Sequence, residues 1–463
     1  MSTSSGRALV GFLGPGVAGS SRYRVAVAGF LLLAVALFGG ASQAEEPAQV
    51  LVRLAAIAAI AASLWPLELS RLRANRGLVL FTLACFGVPL VQLIPLPPAL
   101  WGRLPGHAAY AEIARATATV DWRPLSLTPE LTVNALFALL VPAAAALAAL
   151  HLDGKGRKAA AAIFVVAGLA SAVLGLAQLA VPAGGLRLYL HTTEDAPVGL
   201  FANSNHQAAF LACVFPLCAA AIPVGGTARA RLVVHGFLVP VALVVSAMLL
   251  LTGSRMGVLL WIGGLVGAGW TLKARGLLDL PTSRRGSLRV ALGSAAILGL
   301  LAAAFAFDGA LLQRFAYRDV VADSRWATFP ALVATARAFF PTGAGFGSFA
   351  SIYPRFEPDA LLSTIVLDQA HDEPVQLLIE GGAPALILLL AFGWWWARTA
   401  VGIVRHRSHA PQRGLPRAAV VVTTLLMLSS LVDYPLRTPL LASLFALGCV
   451  EMALSARGRR ARS

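Results

Sequence analysis

The chain has 463 residues, of which 58% are hydrophobic and 13% charged. A soluble globular protein carries about 25% charged residues, so this composition excludes an ordinary soluble enzyme, a disordered chain and a disulfide-framed scaffold. The 37 lysines and arginines outnumber the 21 aspartates and glutamates, giving a net charge of +16. They cluster between apolar runs, however, which argues for membrane topology and against nucleic-acid binding. The four cysteines (Cys85, Cys213, Cys218 and Cys449) form no CxxC pair and read as small core residues, not as a disulfide frame or a zinc site.

A bilayer span needs about 20 apolar residues. About twelve candidate spans follow from that length, at 24–41, 48–69, 77–96, 131–151, 159–181, 206–225, 232–252, 256–272, 289–307, 379–401, 418–432 and 439–455. The expected fold is all-α: a polytopic transmembrane helical protein, one integral membrane domain over 1–463. With the N-terminus in the cytoplasm, most basic residues fall on the cytoplasmic side. They include Arg22, Arg24, Arg71, Arg73, Arg76, Lys155, Arg157, Lys273, Arg275 and the arginines after the last span. Both termini are then cytoplasmic. Of the acidic residues only Glu68, Asp153, Asp279 and Glu451 share that side. A few arginines on the outer face run against the rule. Ser42-Gln43-Ala44 mimics a signal peptidase site, but the first apolar run is read as an uncleaved span.

Two outer segments exceed simple turns. The first, near 97–130, carries Trp101 and Trp122 as interfacial anchors. The second, near 308–378, is expected to be partly helical and to carry part of the active site. It contains an amphipathic stretch, Arg325–Phe340, then a glycine-rich segment, Gly343–Phe349, and a further helix beginning near His371.

Ionisable residues near membrane depth default to functional candidates. Thr252-Gly253-Ser254-Arg255-Met256-Gly257 breaks two spans at the outer face. Arg255 there could hold a phosphate bidentately, or simply snorkel. Arg325, in Asp323-Ser324-Arg325-Trp326, is either a second such arginine or a helix-surface ion pair. His371 opens the run His371-Asp372-Glu373-Pro374 that leads to Glu380. It suits a general base near neutral pH, or is a solvated loop residue. Glu380 would enter the membrane and needs an arginine or hydroxyl partner. Asp368, His371, Asp372 and Glu373 make at best a weak metal set. Asn203, Asn205 and His206 lead into a span, where the two amides and the histidine could bind sugar hydroxyls or pyrophosphate, and Asn203 or Ser204 could cap the helix. Asp433-Tyr434-Pro435-Leu436-Arg437 reads as an outer turn with an interfacial ion pair. The Gly343–Phe349 segment follows no strand and lacks the P-loop lysine, so it reads as a turn of close backbone approach.

The order of these motifs resembles the O-antigen ligase and polymerase superfamily. The match rests on Gly199-Leu200-Phe201-Ala202-Asn203-Ser204-Asn205, Ser254-Arg255-x-Gly257, Arg325-Trp326, Gly343-x-Gly345-x-Gly347-x-Phe349, and His371 followed by Glu380-x-Gly382. It spans roughly 195–385. The resemblance implies a metal-independent, C-type membrane glycosyltransferase of the bacterial inner membrane with a periplasmic active site and no cofactor. The donor would be a glycan on undecaprenyl pyrophosphate, the acceptor a glycan or the lipid A core, and the surroundings membrane lipid. Arg255 and Arg325 match the family's pyrophosphate-holding arginines, and His371 the histidine that activates the acceptor hydroxyl. Glu380, Asn203, Asn205 and Asp372 are supporting positions. Asp372 stands where the family more often has Asn, and Pro374 is unusual. A ligase is expected, with a repeat-unit polymerase as the alternative within the superfamily. From other classes, a glycolipid transporter or flippase would favour ionisable residues at the midplane, and a non-catalytic scaffold would tolerate loss of all three site residues.

Overall fold

A computed structural model describes residues 21–65, 68–181, 185–194, 196–221, 238–277, 319–362, 367–405 and 414–460, the side chains of 319–326 and 459–460 excepted. The helices are α1 (Ser21–Phe38), α2 (Ala48–Ser63), α3 (Leu69–Ala74), α4 (Arg76–Gln92), α5 (Pro98–Trp101), α6 (Ala108–Ala116), α7 (Pro129–His151), α8 (Gly154–Ala180), α9 (Ser204–Ala221), α10 (Val239–Leu251), α11 (Arg255–Ala274), α12 (Asp319–Phe339), α13 (Phe349–Ile352), α14 (Glu373–Arg405), α15 (Gly414–Ser430) and α16 (Pro439–Arg460). Two-residue strands β1 (Pro95–Leu96) and β2 (Arg123–Pro124) pair antiparallel, with Pro95 opposite Pro124.

Among the described residues six helices are long and apolar enough to cross a membrane: α1, α7, α8, α11, α14 and α16. Shorter apolar helices α2, α4, α10 and α15 accompany them. The chain is a helical polytopic membrane protein. The expected spans at 24–41, 131–151, 159–181, 256–272, 379–401 and 439–455 overlap the six long helices, those at 48–69, 77–96, 232–252 and 418–432 overlap the shorter ones, the described part of 206–225 is α9, and 289–307 lies outside the described residues. Local chemistry sets their starts. Asp153 caps α8 by accepting from the Gly156 N–H at 2.7 Å, and Ser254 caps α11 through the Gly257 N–H at 3.0 Å.

Side chains sort as a lipid solvent requires. Large apolar residues such as Leu83, Val166, Ile387 and Trp394 are exposed on the outside, while the main core is rich in small ones, such as Ala144, Ala145, Ala148, Ala149, Ala160 and Ala212. Apolar side chains gain nothing by leaving lipid, so close backbone approach drives such packing. At Gly264 an added Cβ would lie 2.4 Å from the Ala212 carbonyl oxygen. Gly257 meets Ala208, which makes α9 and α11 parallel, and Gly263 and Gly267 meet Leu425 and Val421 of the antiparallel α15.

The bundle therefore has two distinct ends. One holds the ion pairs of Glu68 with Arg24 and Arg71, the Arg157–Glu451 pair at 2.6 Å and the Arg275 contact to the Ala219 carbonyl at 2.5 Å. Of the basic residues expected to share a side, the described Arg24, Arg71, Arg157 and Arg275 thus lie at one end. The other end gathers the starts of α9 and α11, the turn after α15, the α12–α13 segment and the start of α14. Here Ala331, Leu332, Phe339, Phe349, Tyr353 and Ile379 form a second, smaller core. The expected amphipathic stretch is the helix α12, and the described part of 308–378 is partly helical.

Gly264→Ala is expected to destabilise the detergent-solubilised protein by about 1–3 kcal/mol through overpacking. Gly269→Ala, whose Cβ would meet nothing within 4 Å, serves as the control in the same thermal melt and should leave the midpoint within error.

Candidate functional site

A broken helix builds the site. Within α14, Gly382 adopts φ 59°, ψ −146°, a conformation closed to most residues. The break leaves carbonyls without helical donors, and buried carbonyls must find partners. The glycine-rich segment supplies them: Ala344 N–H donates to the Ile379 carbonyl at 3.0 Å, and Gly345 N–H to that of Glu380 at 2.9 Å. Gln92 Nε2 adds a second bond to the Glu380 carbonyl at 2.8 Å, while its Oε1 accepts from Phe346 N–H at 3.1 Å. A Cβ on Gly343 would stand 2.4 Å from the Glu380 carbonyl oxygen, so the glycines permit the approach expected of them.

His371 lies just before this helix, with φ 52°. A non-glycine residue there is strained. Its Nδ1 is 3.3 Å from Asp433 Oδ1. Asp433 sits in the turn after α15 and is only 2% exposed. On its other side is His206, from the first turn of α9, with Nε2 3.8 Å from the same oxygen. His206 Nδ1 pairs with Thr438 Oγ1 at 2.9 Å. Tyr434 packs against both imidazoles, with centroids 5.1 Å from His206 and 4.9 Å from His371. Burial by itself would raise the Asp433 carboxyl, but the hydrogen bond from His371 and the close approach of His206 hold it well below the usual carboxylate range. An ionised carboxylate only accepts. Nδ1 of His371 must therefore carry the proton, which leaves Nε2 as the basic nitrogen.

The same turn serves the next carboxylate. Glu380 is fully buried and takes Arg437 Nη2 on Oε2 at 3.0 Å. Gln376 Nε2 donates to its Oε1 at 3.0 Å, and Gln376 Oε1 accepts from Ala370 N–H at 2.9 Å. Glu373 Oε1 accepts from Leu436 N–H at 3.0 Å. The arginine partner that Glu380 needs is thus Arg437.

Asp372 Oδ1 caps α14 through Val375 N–H at 3.0 Å, and half-burial moves its carboxyl up from the ordinary value. Asn203 Oδ1 accepts from Asn205 N–H at 2.7 Å and its carbonyl from Gln207 N–H at 3.0 Å, which caps α9. Arg255 begins α11, exposed, at the same end. Arg325 lies in α12, and its side chain is outside the described residues. Sequence reasoning left Asp433 and Arg437 as an interfacial ion pair with each other; instead each pairs with a different residue of the α14 segment. Gln92 and Gln376 went unremarked. The turn's signal was its pair of opposite charges beside a span, a costly arrangement unless both find partners.

The geometry defines a helical membrane protein with two histidines about a buried aspartate and an arginine-paired glutamate at one end of its bundle. Residues 240–390, about a third of the chain, match the family model described as O-Antigen ligase. No curated protein matches the chain.

Arg437→Ala should cost about 3 kcal/mol, because it strands a buried carboxylate. Combining Arg437→Met with Glu380→Leu should recover most of that in the same melt. Asp433 contributes stability of the opposite kind to a buried neutral acid. Its folded pKa lies below the unfolded value, so the contribution is complete above about pH 5 and fades as pH falls through the folded pKa. The stability gap between wild type and Asp433→Asn, followed by denaturant titration, should therefore be widest near neutrality and close in acid.

Proposed function

We propose that this chain transfers a glycan from undecaprenyl pyrophosphate to a hydroxyl acceptor at the periplasmic face of the bacterial inner membrane, as an O-antigen-ligase-like enzyme. The observation that carries the reading is His371, strained and oriented by the buried Asp433, at the same bundle end as the start of α11 with Arg255. Strain of this kind costs on the order of 1 kcal/mol and persists where surroundings over-determine it.

In the proposed reaction, His371 Nε2 takes the proton of the acceptor hydroxyl. The oxygen attacks the anomeric carbon of the donor sugar, and the bond from that carbon to the phosphate oxygen breaks. The electron pair leaves on undecaprenyl pyrophosphate. Arg255 and Arg325 hold that pyrophosphate and offset its growing charge, which is how such a site lowers a barrier without a metal. Asp433 keeps the imidazole in the basic tautomer and stabilises the imidazolium that forms. Glu380 acts through Arg437, fixing the turn that carries Asp433. Asp372, Asn203 and Asn205 shape the helix starts around the acceptor. Membrane lipid surrounds the site, and both termini lie on the cytoplasmic side. The segment near 308–378 is an insert within one membrane domain.

In a strain lacking the gene, complementation with His371→Ala at matched membrane levels should abolish the surface glycan seen on a gel. Accumulated lipid-linked polymer marks a ligase, and single repeat units mark a polymerase. Asp433→Asn, which allows the wrong tautomer, should lower transfer by about 10³–10⁴-fold at intact fold. An unchanged glycan profile with His371→Ala overturns the reading in favour of transport or scaffolding.

A further inference from the structure

A second feature of this bundle end lies apart from the His–Asp–His cluster. Between α5, α6 and the chain running into β2 is a cavity of about 340 Å³. Small-molecule sites run about 300–1,000 Å³, so this space suits a ligand well beyond a bare phosphate ion. Arg103, Arg115 and Arg123 line it, with Asp121 as the one acidic side chain, against an apolar wall that includes Trp101 and Val120. Three like charges around one cavity repel unless an anion compensates them.

The scaffold is fixed. Arg123 lies over the Trp101 ring, 5.5 Å from its centroid, and Nη2 donates to the Thr119 carbonyl at 2.7 Å. Trp101 Nε1 donates to the Pro124 carbonyl at 2.8 Å. His107 bridges this unit to the second core, with Nε2 2.9 Å from the Leu125 carbonyl oxygen and its ring edge on Phe339. Arg103 and Arg115 are exposed. Two large apolar side chains stand out beside the cavity: Ile113 is 60% and Trp122 66% exposed. Exposed tryptophan and aliphatic side chains beside guanidinium groups are how a protein seats at the bilayer interface. These arginines also belong to the end that is poor in basic residues, where the positive-inside rule leaves them unexplained.

We propose that this cavity binds the phosphate-bearing headgroup of an anionic membrane lipid. The guanidinium groups of Arg103 and Arg115 take the phosphate oxygens and the Trp101–Val120 wall takes the headgroup's carbon face. Ile113 and Trp122 enter the acyl region. The proposal does not rest on glycan transfer, because binding alone reads it.

The test uses the full chain in detergent, with lipid adducts counted by native mass spectrometry. Phosphatidylglycerol is compared with phosphatidylcholine of the same tails and with tail-free glycerol phosphate. Wild type should bind phosphatidylglycerol in preference to both. The double variant R103E/R115E, both positions exposed, should lose roughly tenfold or more, the worth of one charge-assisted contact. D121N, which removes the opposing charge, should bind more tightly and guards against a fold defect in the double variant. Equal binding by R103E/R115E and wild type, or equal binding of the two lipids, overturns the proposal. Equal binding of glycerol phosphate overturns the lipid assignment in favour of a soluble phosphate ester.

Discussion

The carboxylate of Asp433 is buried at the end of an apolar bundle, where an isolated charge would cost several kcal/mol. Two histidines from opposite directions meet it, one from the first turn of α9 and one from the segment ahead of α14. Four residues on, Arg437 returns the favour in reverse sign: it is the cation for the buried Glu380 of α14. The turn between α15 and α16 thus gives an anion to one residue of the outer segment and a cation to another. Leu436 N–H to Glu373 makes a third tie between them. Separating the segment from the bundle would strand the buried Glu380 and take from Asp433 its nearer histidine. That reciprocity fixes where His371 stands, and everything proposed for its chemistry depends on it.

A second constraint is backbone satisfaction. The break at Gly382 turns α14 into a short leg and a long leg, so the short leg can lie under the outer segment while the long one runs into the bundle. The freed carbonyls of Ile379 and Glu380 would be costly without donors. Three separate pieces of chain meet them or one another: the Gly343–Gly347 turn, Gln92 at the end of α4, and Ser126, whose N–H reaches the Gln92 carbonyl at 2.9 Å. Side-chain charge and backbone geometry therefore hold the same helix leg from two sides, and His371 tolerates its left-handed backbone between them.

Much of this architecture was legible in the sequence because it rests on local chemistry. Apolar length gave the helices, basic clusters gave the end that Arg24, Arg157 and Arg275 share, and alternating glycines gave the turn that docks on α14. Glu380 within an apolar run demanded a cation, and one is there. What could not be read was which cation. Arg437 lies 57 positions away, and the turn's own Asp433 was the nearer partner by sequence. Local reasoning pairs neighbours, but here sequence neighbours point into different contacts because a 3₁₀ turn at Pro435–Arg437 separates them. His206 stood out beside Asn203 and Asn205 as a possible ligand, but its contact to Asp433 could not be read, because that turn lies more than two hundred residues later. Gln92 carries no charge and no motif, so only the break it serves reveals it.

The commitments of the arginines at this end narrow the proposed chemistry. Arg437 is held by a fully buried glutamate and flanked by backbone contacts of its own turn, so moving it to a substrate phosphate would expose Glu380 to the full desolvation penalty. Arg123 is held over Trp101 and on Thr119. Arg255 is exposed at the first position of α11, whose N-terminal dipole adds to its charge, and Ser254 takes only one of the helix's leading N–H groups. The parallel α9 starts beside it, so two positive helix ends face the same side of the bundle. A pyrophosphate proposed to sit there would meet guanidinium and helix dipoles together.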